Sequence, residues 1–226
     1  MTEQNRTAGA LLALDTSTDR AGIAVQSGGV IASLVWNAGR NHTVMLLDQV
    51  HRTLGLAGIG PADLAGIAVA TGPGAFTGLR VGMSVAKGFC LALDLPIVGV
   101  PTLAAAAATA LCRGTVTIAV VSAGRGRLAW ATYARDDHGA PVEHIAPVNG
   151  TPAELAAELA SLSLPAIVTG EFDDATGDLL AAAGADILPP ALRLRRPEAL
   201  LSLAAERFAA GLTDDPVTLE PVYLSR

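Results

Sequence analysis

The chain has 226 residues, of which 51% are hydrophobic and 16% charged, and it carries a formal net charge of −6. This length suits one large or two small domains, and the apolar fraction is too high for a disordered chain. The acidic balance argues against an independent nucleic-acid-binding protein, which normally presents a basic surface. No uninterrupted apolar run reaches membrane-spanning length and no signal-peptide pattern opens the chain, so we expect a cytoplasmic protein without a membrane partner.

The predicted elements of the first half follow the order β-β-β-α-β-α. Short apolar runs predict three strands, and Gly28-Gly29 suits a tight turn between the last two. Apolar residues at helical spacing then predict a first helix that ends near Gly55. The predicted ranges are strands at 11–15, 22–26 and 30–36, a helix at 42–54, a strand at 66–71, a helix at 77–93, a strand at 96–100 and an alanine-rich helix at 101–111.

The second half repeats this order. Thr151 with Glu154 three residues later is a capping-box pattern and marks a helix start, and Asp173 or Asp174 can cap another. The predicted ranges are strands at 115–122, 127–135 and 141–147, a helix at 151–162, a strand at 166–169, a helix ending at 183, a further helix at 197–211 and a tail at 220–224.

Two β-β-β-α-β-α lobes in tandem predict an α/β protein with the duplicated fold of actin, Hsp70 and the sugar kinases (the ASKHA fold). We expect a disordered N-terminus at 1–9, a first lobe at 10–102 that the C-terminal segment 207–226 completes, and a second lobe at 103–206.

The stretch from Gly72 to Arg80, with three glycines and a proline, predicts a special turn that opens the helix at 77–93. Gly78, Gly82 and Ala86 follow at i, i+4 and i+8 and so share one helix face. A face this small allows another backbone to approach closely. The pattern leaves open whether that neighbour lies inside the protein or in a partner, whereas charged side chains in and after the helix argue against a membrane span.

Asp15, Thr16 and Ser17 follow the first strand, where the ASKHA fold places a phosphate-binding loop. They are candidate cofactor-binding residues, because a carboxylate can orient Mg²⁺ and hydroxyls can hold phosphate. The alternative is an aspartate that only satisfies the amides of its own turn. The matching turn of the second half, Ser122-Ala123-Gly124, has no carboxylate, so part of the apparatus for phosphoryl transfer is missing. The glycines at 72, 74 and 78 match neither the dinucleotide fingerprint nor a P-loop.

No metal site or catalytic group is predicted. His42 and His51 are nine residues apart, about half a turn around a helix, and His138 and His144 flank a hairpin without a third ligand. There is no Gly-x-Ser-x-Gly elbow for a nucleophilic serine.

The remaining reactive or charged groups are expected to be structural. Cys90 and Cys112 stand in apolar surroundings and are predicted to be buried thiols rather than a disulfide. Arg193, Arg195 and Arg196 are predicted to form a solvated basic loop.

Four segments together resemble one family. These are 12–18 (LALDTST), 41–43 (NHT), 72–80 (GPGAFTGLR) and 220–224 (EPVYL), which span nearly the whole chain. In this order they resemble the TsaB (YeaZ) family, and the nine-residue Gly-Pro-Gly motif is the most specific of them.

The resemblance implies a function in modifying the tRNA adenosine next to the anticodon to threonylcarbamoyladenosine. Such proteins are non-catalytic scaffolds that activate a TsaD-like catalytic subunit, work with a TsaE-like ATPase, reach tRNA only through the complex, and form a homodimer when alone. TsaD holds a metal through a His-x-x-x-His pair, which this chain lacks. No cofactor is implied, except ATP or ADP at the partner interface.

The family's contact with TsaD is made by the helices that match 42–54 and 77–93. Carried over onto this chain, the implied partner residues are His42, Met45, Leu46, Gln49, Phe76, Gly78, Leu79, Gly82, Met83 and Ala86. A Gly82→Arg variant is then expected to lose the complex while the monomer stays folded. One departure is Ser122-Ala123-Gly124, where many family members have Asp-Ala-Arg, so no role of that Asp or Arg is carried over.

Two other functions are weighed against this one. A small ATP-dependent enzyme of the sugar-kinase type would use Asp15 as its metal-orienting carboxylate, but it would lack an acid at Ser122. A glycoprotease-like peptidase finds no nucleophile or metal pair to support it.

Overall fold

The computed structural model describes residues 9–39 and 42–224, without the side chains of 42–44, and divides into two units. Unit 1 is the chain up to Pro101 together with Arg196–Val222, and unit 2 is Thr102–Arg195 together with the last residues from Tyr223. The sequence-based boundary is therefore wrong for 196–206, which belongs to the first unit, and for the residues after Val222. Apart from Gly9, the predicted disordered N-terminus lies outside the described residues.

Unit 1 is built on a five-stranded mixed sheet in the order β3-β2-β1-β4-β5. Its first three strands form antiparallel pairs through short turns, and β1, β4 and β5 run parallel, which requires helical crossovers. The strands are β1 (Ala10–Asp15), β2 (Arg20–Ser27), β3 (Val30–Asn37), β4 (Leu64–Gly72) and β5 (Ile97–Pro101).

Helices cover both faces of this sheet. On one face, α1 (His42–Leu56) and α2 (Phe76–Leu93) bury apolar side chains against β1, β2 and β4. On the other face lies α6 (Pro197–Ala209), where the ring of Phe208 packs so closely that a Cβ on Gly66 would lie 2.9 Å from it. This packing on the first sheet explains why α6 belongs to unit 1.

By length and composition, α2 is the one helix among the described residues that could cross a membrane. A long apolar helix is also what the core of a globular unit requires. Six residues of α2 are buried in unit 1: Gly78, Leu79, Gly82, Met83, Ala86 and Cys90.

Unit 2 repeats the arrangement with a second five-stranded sheet in the order β10-β9-β6-β7-β8. The predicted capping box is confirmed at the start of α4, where Thr151 Oγ1 accepts from the Glu154 amide (3.2 Å) and Glu154 Oε2 accepts from the Thr151 amide (2.6 Å). The elements are α3 (Thr102–Ala108), β6 (Val116–Gly124), β7 (Arg127–Arg135), β8 (Pro141–Gly150), α4 (Pro152–Leu159), β9 (Ala166–Gly170), α5 (Asp174–Ala182) and β10 (Asp186–Ile187).

Most differences from the prediction concern short elements and helix ends. The two-residue strand β10 and a 3-10 helix at Pro61–Asp63 are too short to leave a periodic pattern in the sequence. The alanine-rich helix ends at Ala108 rather than at 111. The duplicated α/β order is confirmed.

Candidate functional site

The loop that precedes α2 packs tightly on the turn after β1. The Ala75 amide donates to the Ser17 carbonyl (2.6 Å), and a Cβ on Gly74 would lie 2.1 Å from the same oxygen. At Gly72, where φ is +110°, a Cβ would lie 2.6 Å from the carbonyl oxygen of Val222. These glycines are therefore required by close backbone contacts within unit 1.

The candidate phosphate residues after β1 are occupied by hydrogen bonds within this turn and to α2. Asp15, Thr16 and Ser17 are all buried. Thr16 Oγ1 donates to the Gly78 carbonyl (2.7 Å), while the Ser17 amide and hydroxyl both donate to Asp15 Oδ1 (3.0 and 2.5 Å). These are the bonds expected if Asp15 serves its own turn. Phosphate binding by these residues stays a prediction, and this geometry gives it no support.

The predicted small-residue face of α2 lies inside unit 1. All five of its implied partner residues beyond Phe76 are buried: Gly78, Leu79, Gly82, Met83 and Ala86. A Cβ on Gly82 would lie 2.2 Å from Thr16 Oγ1, so this face already has its close neighbour. An internal contact is therefore observed for this face, and the assignment of these side chains to a partner surface stays a prediction that their burial does not support. A Gly82→Arg variant would disrupt unit 1 itself.

The implied partner residues of α1 differ in their burial. Leu46 is fully buried in the core of unit 1, so its assignment to the interface also stays a prediction without support from this structure. Met45 and Gln49 are half-buried, and the side chain of His42 lies outside the described residues. Leu47, on the same helix, is exposed.

An outward-facing row of α2 remains available for a partner. This outer row consists of Phe76, Arg80, Ser84, Gly88 and Leu91, all exposed and spaced by three or four residues. Phe76 is 54% and Leu91 73% exposed, so large apolar groups stand at both ends of the row.

The middle of the outer row is small, and two side chains of its first turn contact each other. Apart from the neighbouring backbone of α2 itself, no atom of the described residues lies within 4 Å of the position of a Cβ on Gly88. The Arg80 guanidinium lies 3.7 Å from the centroid of the Phe76 ring, a cation–π contact that holds both side chains at the surface. Of the implied residues on α2, only Phe76 belongs to this row. The other four residues of the outer row could have been found from the same helical periodicity by choosing the opposite face of α2.

In unit 2, the basic segment before α6 is not a solvated loop. Arg195 is 2% exposed at its side chain and forms an ion pair with Glu171 (2.6 Å). Arg193 is also buried, with its guanidinium 4.1 Å from the centroid of the Phe172 ring. Arg196, the first residue of the unit 1 segment, is exposed as predicted. The prediction failed because the carboxylate and ring that neutralise and cover these arginines lie about twenty residues upstream.

The two cysteines are both free, but only one is buried. Burial raises the pKa of Cys90 to about 11. Cys112 is exposed, which corrects its predicted burial. Within the described part of the chain, no group of three or more His, Cys, Asp and Glu side chains could hold a metal ion.

Comparison with known proteins connects this architecture to one family. Residues 14–156 match the family model TsaD, described as tRNA N6-adenosine threonylcarbamoyltransferase. The chain is 31% identical over 220 residues to the tRNA threonylcarbamoyladenosine biosynthesis protein TsaB of Escherichia coli K12, covering 95% of this chain and 94% of that protein. It is 37% identical over 107 residues to the tRNA N6-adenosine threonylcarbamoyltransferase of Trichlorobacter lovleyi, but this covers only 31% of that enzyme.

Solved structures show the same relationship. YeaZ from Pseudomonas aeruginosa matches with a TM-score of 0.78 and 28% identity, covering 96% of this chain and all of that one. The ethanolamine utilization protein EutJ from Carboxydothermus hydrogenoformans, at 13% identity and a TM-score of 0.50, shares the fold alone. The chain therefore belongs to the TsaB (YeaZ) family.

Proposed function

We propose that this chain acts in tRNA threonylcarbamoyladenosine biosynthesis as the non-catalytic partner of a TsaD-like threonylcarbamoyltransferase. Its likeness to TsaB covers 94% of the E. coli protein, whereas its likeness to the T. lovleyi transferase covers 31% of that enzyme. The part shared with the transferase explains the TsaD model match. The full-length likeness supports the partner role rather than the transferase itself.

The observation that carries the proposal is the outer row of α2. Its small centre at Ser84 and Gly88 allows another helix to approach closely, and Leu91 provides apolar area at one end. Phe76 with Arg80 stacked on it provides an aromatic and arginine anchor, the residue types that dominate the energetics of protein interfaces. We place the contact with the TsaD-like subunit here, on the helices that the family implies but on a different face of α2.

The remaining parts of the proposal concern the complex. The chain has no His-x-x-x-His pair, so the metal and the reacting atoms would be held by the TsaD-like subunit. A net charge of −6 disfavours direct contact with tRNA phosphates, so tRNA would be bound through the complex. We further propose a cytoplasmic location, cooperation with a TsaE-like ATPase, and ATP or ADP binding only at the partner interface.

The test mixes the purified chain with the TsaD-like protein of its own genome and measures complex formation by size-exclusion chromatography with light scattering. Gly88→Arg places a long charged side chain in the centre of the outer row. Gly177→Arg is the matched control, because it introduces the same side chain at a helical glycine of α5 in unit 2.

We expect the wild type and Gly177→Arg to form a stable heterodimer and Gly88→Arg to form none. Equal binding by Gly88→Arg would show that the outer row is not the contact. Separate peaks for the wild type, even with ATP and the TsaE-like protein, would refute the partner role. Threonylcarbamoyl transfer to tRNA should require this chain, and the chain alone should show none.

A further inference from the structure

Unit 2 contains a cavity whose lining carries charges of both signs. Its volume is about 330 Å³, at the small end of the range for ligand-binding pockets. The lining includes Arg127, Glu171 and Asp173, while Leu128 and Phe172 provide apolar walls. All of the lining residues belong to unit 2, so a ligand bound here would not depend on the partner contact proposed on α2 of unit 1.

One wall of the cavity is the segment 171–173, whose position is fixed by a glycine. Gly170 ends β9 with φ at +111°, and the carbonyl of Val120 on β6 leaves no room for a Cβ there. The Glu171 amide donates to the same carbonyl oxygen (2.8 Å). The chain therefore leaves the sheet at a fixed point, and the three residues that follow line the cavity.

Two of the charged groups are held in place by the protein and keep one polar atom each for a ligand. Arg127 donates from Nε to Asn149 Oδ1 (3.0 Å) and from Nη2 to the Asn149 carbonyl (2.6 Å). Glu171 Oε1 accepts from Nη1 of the buried Arg195 (2.6 Å). Among the described residues these bonds leave Nη1 of Arg127 and Oε2 of Glu171 unused. Because both side chains are already ordered, binding a ligand would cost little side-chain entropy.

The charges around the cavity balance, which disfavours a phosphate-bearing ligand. The charged groups in the lining, or in contact with it, are Arg127, Arg193, Arg195, Glu171, Asp173 and Asp174. Three arginines thus stand against three carboxylates. Asp173 Oδ1 also accepts from the Thr176 amide (2.9 Å), so the N-terminus of α5 is capped by the chain's own carboxylate. A nucleotide with several negative charges would find no positive surplus here, whereas a ligand with one charge of each sign would be matched.

We propose that this cavity binds a small zwitterion with an apolar side chain, which is the chemistry of a free amino acid or a short peptide. Nη1 of Arg127 would donate to the ligand carboxylate. Glu171 Oε2 and the Asp173 carboxylate would accept from its ammonium group. Leu128 and Phe172 would cover its apolar side chain, and a few fixed polar groups among apolar walls are typical of small-molecule sites.

The test is isothermal titration calorimetry of the full chain with L-leucine and with the dipeptide leucylglycine, which distinguishes the two sources of a zwitterion. Isoamylamine keeps the side chain and the amine of leucine without its carboxylate. Isocaproic acid keeps the side chain and the carboxylate without the amine. ATP is titrated as the nucleotide alternative.

Three variants locate the binding. Arg127→Gln removes the partner of the ligand carboxylate, and Asp173→Asn removes a partner of the ammonium group while keeping a good helix cap. Asp174→Asn is the matched control, because it makes the same change at the next residue, which is 98% exposed at its side chain and does not line the cavity. Circular dichroism checks that each variant is folded.

We expect one of the two zwitterions to bind with a Kd between about 10 µM and about 10 mM. Binding should be at least about tenfold weaker for both singly charged analogues, and at least about tenfold weaker for Arg127→Gln and Asp173→Asn. Asp174→Asn should bind as the wild type does. If Arg127→Gln does not fold, the analogues and Asp173→Asn still decide the question.

Three results would overturn the proposal. Neither zwitterion binds the wild type at up to about 20 mM, a singly charged analogue binds as tightly as its parent, or Asp173→Asn binds as well as Asp174→Asn does. ATP binding that is lost in Arg127→Gln, without binding of either zwitterion, would make the cavity a nucleotide site instead.

Discussion

Replacing Gly82 with alanine should destabilise unit 1, because the added methyl has no room. Its Cβ would lie 2.2 Å from Thr16 Oγ1, far inside van der Waals contact. Thr16 cannot simply turn away, since it is buried and its hydroxyl donates to the Gly78 carbonyl (2.7 Å). Either α2 moves away from β1, or Thr16 leaves its hydrogen bond.

The magnitude follows from three contributions. Forcing a methyl into a packed core costs roughly 2 kcal/mol. Displacing the buried Thr16 hydroxyl costs about 1 kcal/mol more through its lost hydrogen bond. Alanine regains about 1 kcal/mol over glycine as a helix former. We expect a net loss of about 2 kcal/mol in the free energy of unfolding of unit 1.

A second substitution separates this steric reasoning from a general loss of stability. Thr16→Ala removes the oxygen in conflict, and the remaining Thr16 Cβ lies 3.4 Å from the new methyl, which is nearly ordinary contact. Gly82→Ala should therefore be nearly neutral in the Thr16→Ala background, with a coupling energy of about 2 kcal/mol between the two sites. Gly88→Ala, where the position is open, is the control and should be stabilising by up to about 1 kcal/mol.

The assay is urea unfolding followed by tryptophan fluorescence. Trp36 lies in unit 1 and Trp130 in unit 2, so a Trp130→Phe background reports on unit 1 alone. The reasoning is refuted if Gly82→Ala is as stable as the wild type, or if Thr16→Ala does not rescue it.

Further predictions concern unit 2 and the thiols. Arg195→Met should lower the free energy of unfolding by about 3 kcal/mol, because it leaves Glu171 partly buried without its ion pair. Adding Glu171→Gln should restore part of this loss. Urea unfolding of the two single variants and the double variant measures both effects. Hydrogen bonds from Thr176 lower the pKa of Asp173. The contribution of Asp173 to stability is therefore present above the ordinary carboxyl pKa and is lost as the pH falls through the lowered value. An Asp173→Asn variant should flatten the acid limb of the pH–stability curve. With the pKa of Cys90 raised to about 11, only the exposed cysteine should react with a thiol reagent at neutral pH, and two labels on the native chain, counted by mass spectrometry, would contradict this.

The order of strands and helices could be predicted because its signals are local. Apolar runs and turn glycines lie within the elements they mark, and the capping box of α4 lies within four residues. The side of α2 that faces the core could not be predicted in this way. Both sides carry small residues, and the choice depends on Thr16, which is 62 residues away from its hydrogen-bond partner Gly78.

Long-range packing also explains the other corrections. The sequence predicts α6 as a further helix of the second half, yet α6 packs on the sheet of unit 1, where Gly66 makes room for Phe208. The ion pair of Arg195 with Glu171 joins residues 24 apart, at a distance where sequence gives no sign of pairing. In each case, the burial of a residue depends on a contact with another part of the chain that is distant in sequence.

The two sides of α2 predict two separable kinds of variant. The inner side, at Gly82, fixes the helix to the turn after β1, and the outer row is presented by the same rigid helix. Inner substitutions should therefore weaken partner binding only to the extent that they unfold unit 1, so that binding recovers when Thr16→Ala restores stability. Outer substitutions such as Gly88→Arg should weaken binding with no loss of stability. If Gly82→Ala lost the partner while unit 1 kept its wild-type free energy of unfolding, the inner side would have to be part of the interface after all.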